Sequence, residues 1–536
     1  MNIKALNQII VSVILIFVIA FSFSSCTNKN NNSSTIYKPK DVVMPEDYDD
    51  AKTLGGFAVS STSAEASAVG MQILSEGGNA VDAASAMSLT LGVCEPYSSG
   101  IGGSGVMLIY DTRSKKGYSL DYYCSAGKAS SSYDNIGVPG LLAGTQEALN
   151  RFGTITLAEA IQPAIDYADN GFTATGTFIS RLKSSDSLRE NPAYRNIKNG
   201  GLIIQSELGE TLKTIQKEGI DVFYKGSIGQ KIADNCELTL DDLSSYKVYC
   251  RDIIRSKFKN YSIIGAYAPF SSITVMQMLK VAEKLNVPSV SEDPNGYLKV
   301  LKTATMSSFD SRNKTLVDPE FYKFYSDNLL SDDYIKSLAD SMVSNYSDDP
   351  EQLCTTQFAV IDNNGLIVCV TNSLSDSWGS YKCVGGFYLN NSLINFGNTS
   401  KNAYEPEKRP RTHFAPIIVE GKEGEIFAIG SPGGVYIPKI VAGVLLEILS
   451  EKGDIQTSVD KARVMYNSDG SLCVETDDKA PSIIDVKKVT EQFYYSSSHN
   501  LFGCTSIVGY RPEEGFISVC DLRRKTSQAL VYYYDK

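Results

Sequence analysis

Between Cys354 and Leu374 the chain carries two apolar runs, Phe358-Ala359-Val360-Ile361 and Leu366-Ile367-Val368-Cys369-Val370, separated by Asp362-Asn363-Asn364-Gly365. The pattern predicts two β-strands buried on both faces, with Phe358, Val360, Val368 and Val370 on one side and Ala359, Ile361, Ile367 and Cys369 on the other. The link predicts a hairpin turn, because its Gly can take φ > 0. A three-residue loop sets Asp362 opposite Leu366, Phe358 opposite Val370 and Thr355 opposite Ser373, so that two hydroxyls face each other. A two-residue loop slips the register by one and puts Leu374 there instead. Either way the sheet needs cover on both sides.

Upstream, 55–111 reads as strand, helical pair, glycine loop and strand. Gly56 to Ser61 is the first strand, Gly77-Gly78-Asn79-Ala80-Val81-Asp82 divides two Ala-rich helices, and Val106 to Asp111 is the second strand. The loop Ser98-Ser99-Gly100-Ile101-Gly102-Gly103-Ser104-Gly105 contains a formal GxGxxG. It follows a helix and precedes a strand, the reverse of a dinucleotide site, so it reads as a tight turn. The middle of the chain is mainly helical, with periodic segments at Leu157 to Asn170, Gly209 to Gly219, Ser227 to Asn235, Val275 to Leu285 and Tyr297 to Ser308. Gly171, Gly219 and Pro288 act as stops. The last third returns to strand periods, with a helix at Pro438 to Lys452. Strand-rich ends around a helical middle predict one α+β body.

Composition narrows the function classes. With 43% hydrophobic and 21% charged residues, the 536-residue chain is ordinary globular material. A net charge of -11, with no long block of either sign, gives no footing for nucleic acid. Lys4, an apolar run from Ile9 to Phe23 and Ser24-Ser25 before Cys26 form an export signal, and Phe23-Ser24-Ser25-Cys26 resembles a lipoprotein processing box. A plain signal peptide or uncleaved anchor is the alternative. The expected organisation is a signal over 1–25, a polar tether over 26–54 and one domain beyond. The expected location is extracytoplasmic, a membrane-attached lipoprotein at a bacterial cell surface or in a periplasm. The ten cysteines after Cys26 form no CxxC pair, and those in apolar runs, such as Cys369 and Cys520, are expected as free thiols. Only His413 and His499 are available, which removes a multi-histidine metal site and leaves a Ser-His-Asp triad few options.

A nucleophile that does not rely on histidine is available at Thr355: cut before it, the residue supplies both hydroxyl and base. Several landmarks occur in a shared order: Gly77 to Ala83, Glu95-Pro96, Ser98 to Gly103, Gly137-Val138-Pro139-Gly140, Pro163-Ala164-Ile165, Asp318-Pro319, Thr355-Thr356, Leu389-Asn390-Asn391, Lys408-Arg409-Pro410 and Gly430-Ser431-Pro432-Gly433-Gly434. On these the chain resembles the gamma-glutamyltransferase (glutathione hydrolase) family of N-terminal nucleophile hydrolases. The resemblance implies a four-layer αββα sandwich made as a precursor that cuts itself into a large part, 55–354, and a small part, 355–536. It implies Thr355 as nucleophile, with its freed α-amine, of pKa roughly 8, as base. It also implies Ser373 as the second hydroxyl and Gly433 and Gly434 as the oxyanion hole. No cofactor and no metal are implied. The partners are a small γ-glutamyl or related amide, an amine or water acceptor, and the membrane through Cys26.

The substrate pocket departs from the family pattern. Tyr123 stands where an arginine holds the substrate α-carboxylate, and Thr412 and His413 stand where two serines do. Asn395 replaces the aspartate that holds the α-ammonium, and Ser375 and Ser392 fall on further polar positions. Arg411 is a candidate substitute cation whose plain reading is a solvated surface arginine. Pro269-Phe270-Ser271-Ser272-Ile273-Thr274 stands where the family has Pro-Ser-Ser-Gly-Gly. The expected activity is cleavage or transfer of a γ-glutamyl amide. The alternatives are another acyl group, as in glutaryl or cephalosporin acylases or a γ-linked glutamate polymer, and a non-catalytic surface lipoprotein that keeps the fold.

Overall fold

The hairpin is the centre of the molecule. The computed structural model describes residues 53–534 apart from 130, 348–353, 398–400, 452–453, 477–483 and 498. The signal, Cys26 and nearly all of the tether lie outside the described residues. With strands of the two large sheets labelled in chain order, the first sheet holds β1 (Gly56–Ser61), β2 (Ser104–Asp111), β3 (Gly117–Tyr122), β4 (Tyr249–Asp252), β7 (Cys354–Ile361), β8 (Leu366–Ser375) and β13 (Gln528–Tyr533). The second holds β5 (Ile254–Phe258), β6 (Tyr261–Gly265), β9 (Ile417–Glu420), β10 (Ile426–Gly430), β11 (Ser506–Arg511) and β12 (Gly515–Cys520). The strand orders are β13-β1-β7-β8-β2-β3-β4 and β12-β11-β10-β9-β6-β5. Every pairing in both sheets is antiparallel.

The two apolar faces of the hairpin are covered as their alternation requires. Phe358, Val360, Val368 and Val370 join a core with helices α1 (Ala64–Ser75), α2 (Ala80–Cys94), α3 (Leu141–Phe152), α4 (Leu157–Asn170) and α5 (Ser206–Glu218). Ala359, Ile361, Ile367 and Cys369 meet Ile264, Ile418, Ile426, Ala428 and Val508 of the second sheet. The far face of that sheet packs on α6 (Ser272–Lys284), α7 (Pro294–Thr315) and α8 (Ile437–Glu451). The result is the four-layer αββα sandwich. Small residues at Ala58, Ala359 and Ala428 let the two sheets approach.

Local chemistry holds the hairpin in place. Asn79 caps α2 in a capping box with Asp82, and the Ala80 N–H at the same helix start donates to Asp362 Oδ2 at 3.0 Å. Asp362 Oδ1 takes the N–H groups of Asn364 and Leu366, and burial pushes its carboxyl up to about 6. Gly365 has φ 81°, and the loop has three residues, so Phe358 pairs with Val370 and Val360 with Val368, as the first register requires. The expected pairing of Thr355 with Ser373 does not form. Pairing runs to Asn372↔Thr356 and resumes at Ser375↔Cys354, so a bulge lies opposite Thr355. The helical readings hold with shifted ends: Leu157–Asn170 is one helix, while the segment read from Tyr297 begins at Pro294, capped by Asp293, and runs on to Thr315.

Candidate active site

Thr355 lies near the start of β7, in phase with Gln357, Ala359 and Ile361, so its side chain faces the layer between the sheets. The bulge opposite it has a specific use of hydrogen bonds. Ser373 Oγ accepts the Ser375 N–H at 2.8 Å and donates its own proton to the Cys354 carbonyl at 2.6 Å. That carbonyl belongs to the peptide bond before Thr355. A hydroxyl whose lone pair is already engaged by an N–H has its single proton directed onto the atom that gains negative charge when the bond is attacked.

The glycine loop read as a tight turn does more than turn. A Cβ on Gly103 would come 2.5 Å from the Ser373 carbonyl, and one on Gly102 would come 2.2 Å from that of Tyr388, so backbone passes where a side chain would clash. The same loop supplies Ser98, whose hydroxyl lies 3.1 Å from the Cys354 sulfur, while Cys354 Sγ donates to the Tyr97 carbonyl at 3.0 Å. The Cys354 side of the Cys354–Thr355 bond is thereby held.

Gly433 and Gly434 follow β10 and have φ of 141° and 52°, conformations that side chains resist. They lead through a short 3-10 turn into α8. Their loop is tied down by Ser431 Oγ, which accepts the Cys504 N–H at 3.2 Å. Gly430, just before it, packs its Cα against Gln357, two residues beyond Thr355. The glycine pair thus leaves the second sheet where that sheet faces the start of β7.

Of the expected substrate residues, three meet in one network. Asn395 Nδ2 donates to Tyr123 Oη at 2.9 Å and reaches Ser375 Oγ at 3.4 Å. Through Ser375 and Ser373 a chain of hydrogen bonds runs from Tyr123 to the Cys354 carbonyl. Tyr123 itself is held by Phe270 and Phe414 edges, and its N–H donates to Asp121 Oδ1 at 3.1 Å. Asp121 is in turn paired with Arg409 at 2.6 Å and Arg251 at 3.4 Å. Ser392 stands apart beside the buried Cys124 thiol, which burial pushes up to about 11. Thr412 and His413 also stand apart: Thr412 accepts Ser271 Oγ on its carbonyl, and His413 stacks on Phe309 of α7. The reading of Arg411 as a solvated arginine is wrong. It is 2% exposed and donates to the Asn313 carbonyl at 2.6 Å, because its neighbours Thr412 and His413 run inside the sandwich.

Arg524 was not singled out by the sequence. Its Nη2 donates to the Thr355 carbonyl at 3.3 Å, and its Nη1 lies 3.4 Å from Glu95. Burial raises the Glu95 carboxyl, opposed by the Arg524 cation, and the same pairing keeps Arg524 protonated. The Glu95-Pro96 landmark was the available signal, since a carboxylate buried in an apolar layer requires a cation.

Comparison with known proteins decides the family. The gamma-glutamyltranspeptidase family profile matches residues 66–531. The chain belongs to the gamma-glutamyltranspeptidase family. The capsule biosynthesis protein CapD proenzyme of Bacillus anthracis is 36% identical over 442 residues, covering 81% of this chain and 83% of the relative. The glutathione hydrolase proenzyme of Escherichia coli K12 is 30% identical, covering 71% and 75%. A cephalosporin acylase from Bacillus halodurans superposes with a TM-score of 0.79 over 92% of this chain and 99% of its own, at 21% identity, which concerns the fold alone. As a member of the gamma-glutamyltranspeptidase family the chain is an amidohydrolase or acyltransferase of γ-glutamyl-type amides. The expectation of a non-catalytic protein is the reading that family membership least favours.

Proposed function

We propose that Thr355 is released by a cut after Cys354 and then carries the acyl group of a γ-glutamyl-type amide to water or an amine. The observation that carries this reading is the Ser373 hydroxyl on the Cys354 carbonyl, directly before a hydroxyl nucleophile. In the cut, Thr355 Oγ bonds to the Cys354 carbonyl carbon, the C–N bond breaks, and the resulting ester is hydrolysed by water. The free α-amine then takes the proton of Thr355 Oγ when it attacks a substrate carbonyl. Gly433 and Gly434 N–H groups receive the oxyanion of that second reaction. Turnover of γ-glutamyl p-nitroanilide by the cut enzyme is the test, and absence of turnover by fully cut protein contradicts it.

A second reading concerns the acyl group. Tyr123 cannot offer a carboxylate the bidentate fork of an arginine, and Asn395 brings no negative charge to an ammonium. Both neutral residues sit in one hydrogen-bonded pair, so free γ-glutamyl substrates are disfavoured together at both charged ends. Among the relatives, CapD is named for capsule biosynthesis rather than for glutathione hydrolysis. The double variant Asn395→Asp, Tyr123→Arg is expected to raise kcat/KM for γ-glutamyl over glutaryl anilide about 10-fold or more, beyond either single change, because each restores one end of the same group. A wild-type enzyme that already prefers γ-glutamyl anilide by a large factor contradicts this.

The chain is further proposed to be lipid-anchored through Cys26. Cys26→Ser is expected to move the protein from the membrane fraction to soluble or unprocessed fractions, read by detergent partitioning. Unchanged partitioning with normal signal removal refutes the anchor.

A further inference from the structure

A buried amide lies in the layer between the sheets, two residues beyond the nucleophile and on the same face of its strand. Gln357 of β7 is 0% exposed, and both ends of its amide are engaged. Its Oε1 accepts the Thr371 hydroxyl at 2.6 Å, directly across the ladder on β8. Its Nε2 donates to the Phe358 carbonyl at 3.1 Å and to Cys369 Sγ at 3.2 Å. A buried amide with all of these partners is held in one orientation.

The second sheet closes on this residue at three points. A Cβ on Gly430, the last residue of β10, would come 2.3 Å from Gln357 Cδ, so the glycine backbone rests directly on the amide. Ser506 of β11, which pairs with Gly430 in the second sheet, donates its hydroxyl to the Gln357 carbonyl at 3.3 Å. Cys369 Sγ, which takes one amide proton, passes its own to the Ile429 carbonyl at 3.4 Å. The end of β10 is thus seated on Gln357 and on the thiol beside it, in a layer that is otherwise largely apolar.

Few soft torsions separate that seat from the glycine pair. Proline fixes its own φ at position 432. Ser431 Oγ donates to the Pro432 carbonyl at 2.7 Å and accepts the Cys504 N–H at 3.2 Å. Gly433 follows at once, so a shift of Gly430 is passed on to its N–H. On the other side, Thr355 and Gln357 stand two residues apart on one strand, a separation of about 7 Å. One side chain therefore links the strand of the nucleophile to the loop that receives the oxyanion.

Resting on the roles given above to Thr355, Gly433 and Gly434, we propose that Gln357 is a positioning residue for turnover, its amide setting the distance between Thr355 Oγ and the two glycine N–H groups. Self-cutting does not call on it, because the carbonyl attacked there is held by Ser373. Formation and breakdown of the acyl-enzyme both place an oxyanion on the glycine N–H groups, so kcat senses this spacing whichever step limits.

The test measures kcat and KM of cut enzyme on γ-glutamyl p-nitroanilide, the half-time of self-cutting, and the affinity for the boronic-acid analogue of the γ-glutamyl group. Thr355 Oγ adds to the boron and its proton passes to the α-amine, leaving a tetrahedral anion like the intermediate. Gln357→Met keeps the length of the side chain and loses both hydrogen-bonding ends. Its kcat is expected to fall about 10-fold or more, as for a small misplacement of reacting groups, with KM and the half-time of cutting within about 2-fold of wild type. Boronate affinity is expected to fall by the same factor as kcat. Thr371→Val removes only the hydroxyl on Gln357 Oε1 and is expected to give the same pattern at about 5-fold, with Thr371→Ser restoring the wild-type rate. A kcat within about 2-fold of wild type in either Gln357→Met or Thr371→Val would overturn the proposal. So would equal losses in cutting and turnover, which would make the network structural, or a Thr371→Ser variant no faster than Thr371→Val. If Gln357→Met does not fold, the Thr371 pair decides alone. Failure of the γ-glutamyl reading is separate, since wild-type cut enzyme would then leave the anilide intact.

Discussion

Thr355→Ala is expected to leave one uncut chain with no measurable amide turnover. The same oxygen is required twice, once against the Cys354 carbonyl and once against substrate, and the second use also needs the amine that the first use liberates. The two losses therefore come together, and turnover should fall more than about 10³-fold, as when the nucleophile of a cooperating catalytic group is removed. Thr355→Ser keeps the oxygen and is expected to retain both reactions at reduced rate, which separates chemistry from folding. Phe358 to Ile361 of β7 are paired on both sides, with β1 and β8, while Thr355 lies outside that ladder opposite the bulge, so neither change should disturb the sheet. Cutting that persists in the alanine variant, read on a denaturing gel, would remove Thr355 from the mechanism.

Ser373→Ala is expected to slow self-cutting about 10²- to 10³-fold, equivalent to about 3–4 kcal/mol of lost oxyanion stabilisation. The reasoning is geometric: its proton lies on the Cys354 carbonyl, and its lone pair is occupied by the Ser375 N–H. Because Ser375 also touches Asn395, loss of the hydroxyl loosens the substrate side as well, and protein that does cut should show raised KM. Ser373→Thr preserves the hydroxyl and is expected to restore most of the rate. The measurement is the half-time of appearance of the small piece after synthesis. A wild-type half-time in the alanine variant would assign the carbonyl's activation elsewhere, with the Ser98 and Tyr97 side of Cys354 the next place to look.

How much of this was legible beforehand depended on the range of the interaction. The hairpin and its burial on both faces follow from alternation and from one glycine, all local in sequence, whereas the choice of a three- over a two-residue loop is settled only by the register in the structure. The bulge opposite Thr355 was not legible, because it depends on Ser375 taking a φ of 78° to bring its N–H onto Ser373, and Ser is not a residue that announces a left-handed backbone. The glycine loop at 98–105 was read as a turn, whereas its glycines are required by the approach of Ser373 and Tyr388, which come from some 270–290 residues downstream. Arg411 was read as a surface residue from its charge alone. Burial of an arginine is decided by partners such as Asn313, which no periodicity reveals. Arg524 illustrates the same limit at the far end of the chain, where a strand order of β13-β1-β7 folds the C-terminus back beside the nucleophile. The neutral positions Tyr123 and Asn395 were legible only by comparison with the family pattern. Their meeting at 2.9 Å gives that comparison a physical basis.

The most direct test of the central claim is intact-mass and N-terminal analysis of the purified protein. The account predicts a small piece that begins at Thr355 and ends at Lys536, 182 residues and roughly 20 kDa, remaining bound to the large piece until denatured. A single uncut chain, or a small piece whose first residue is not Thr355, would contradict it.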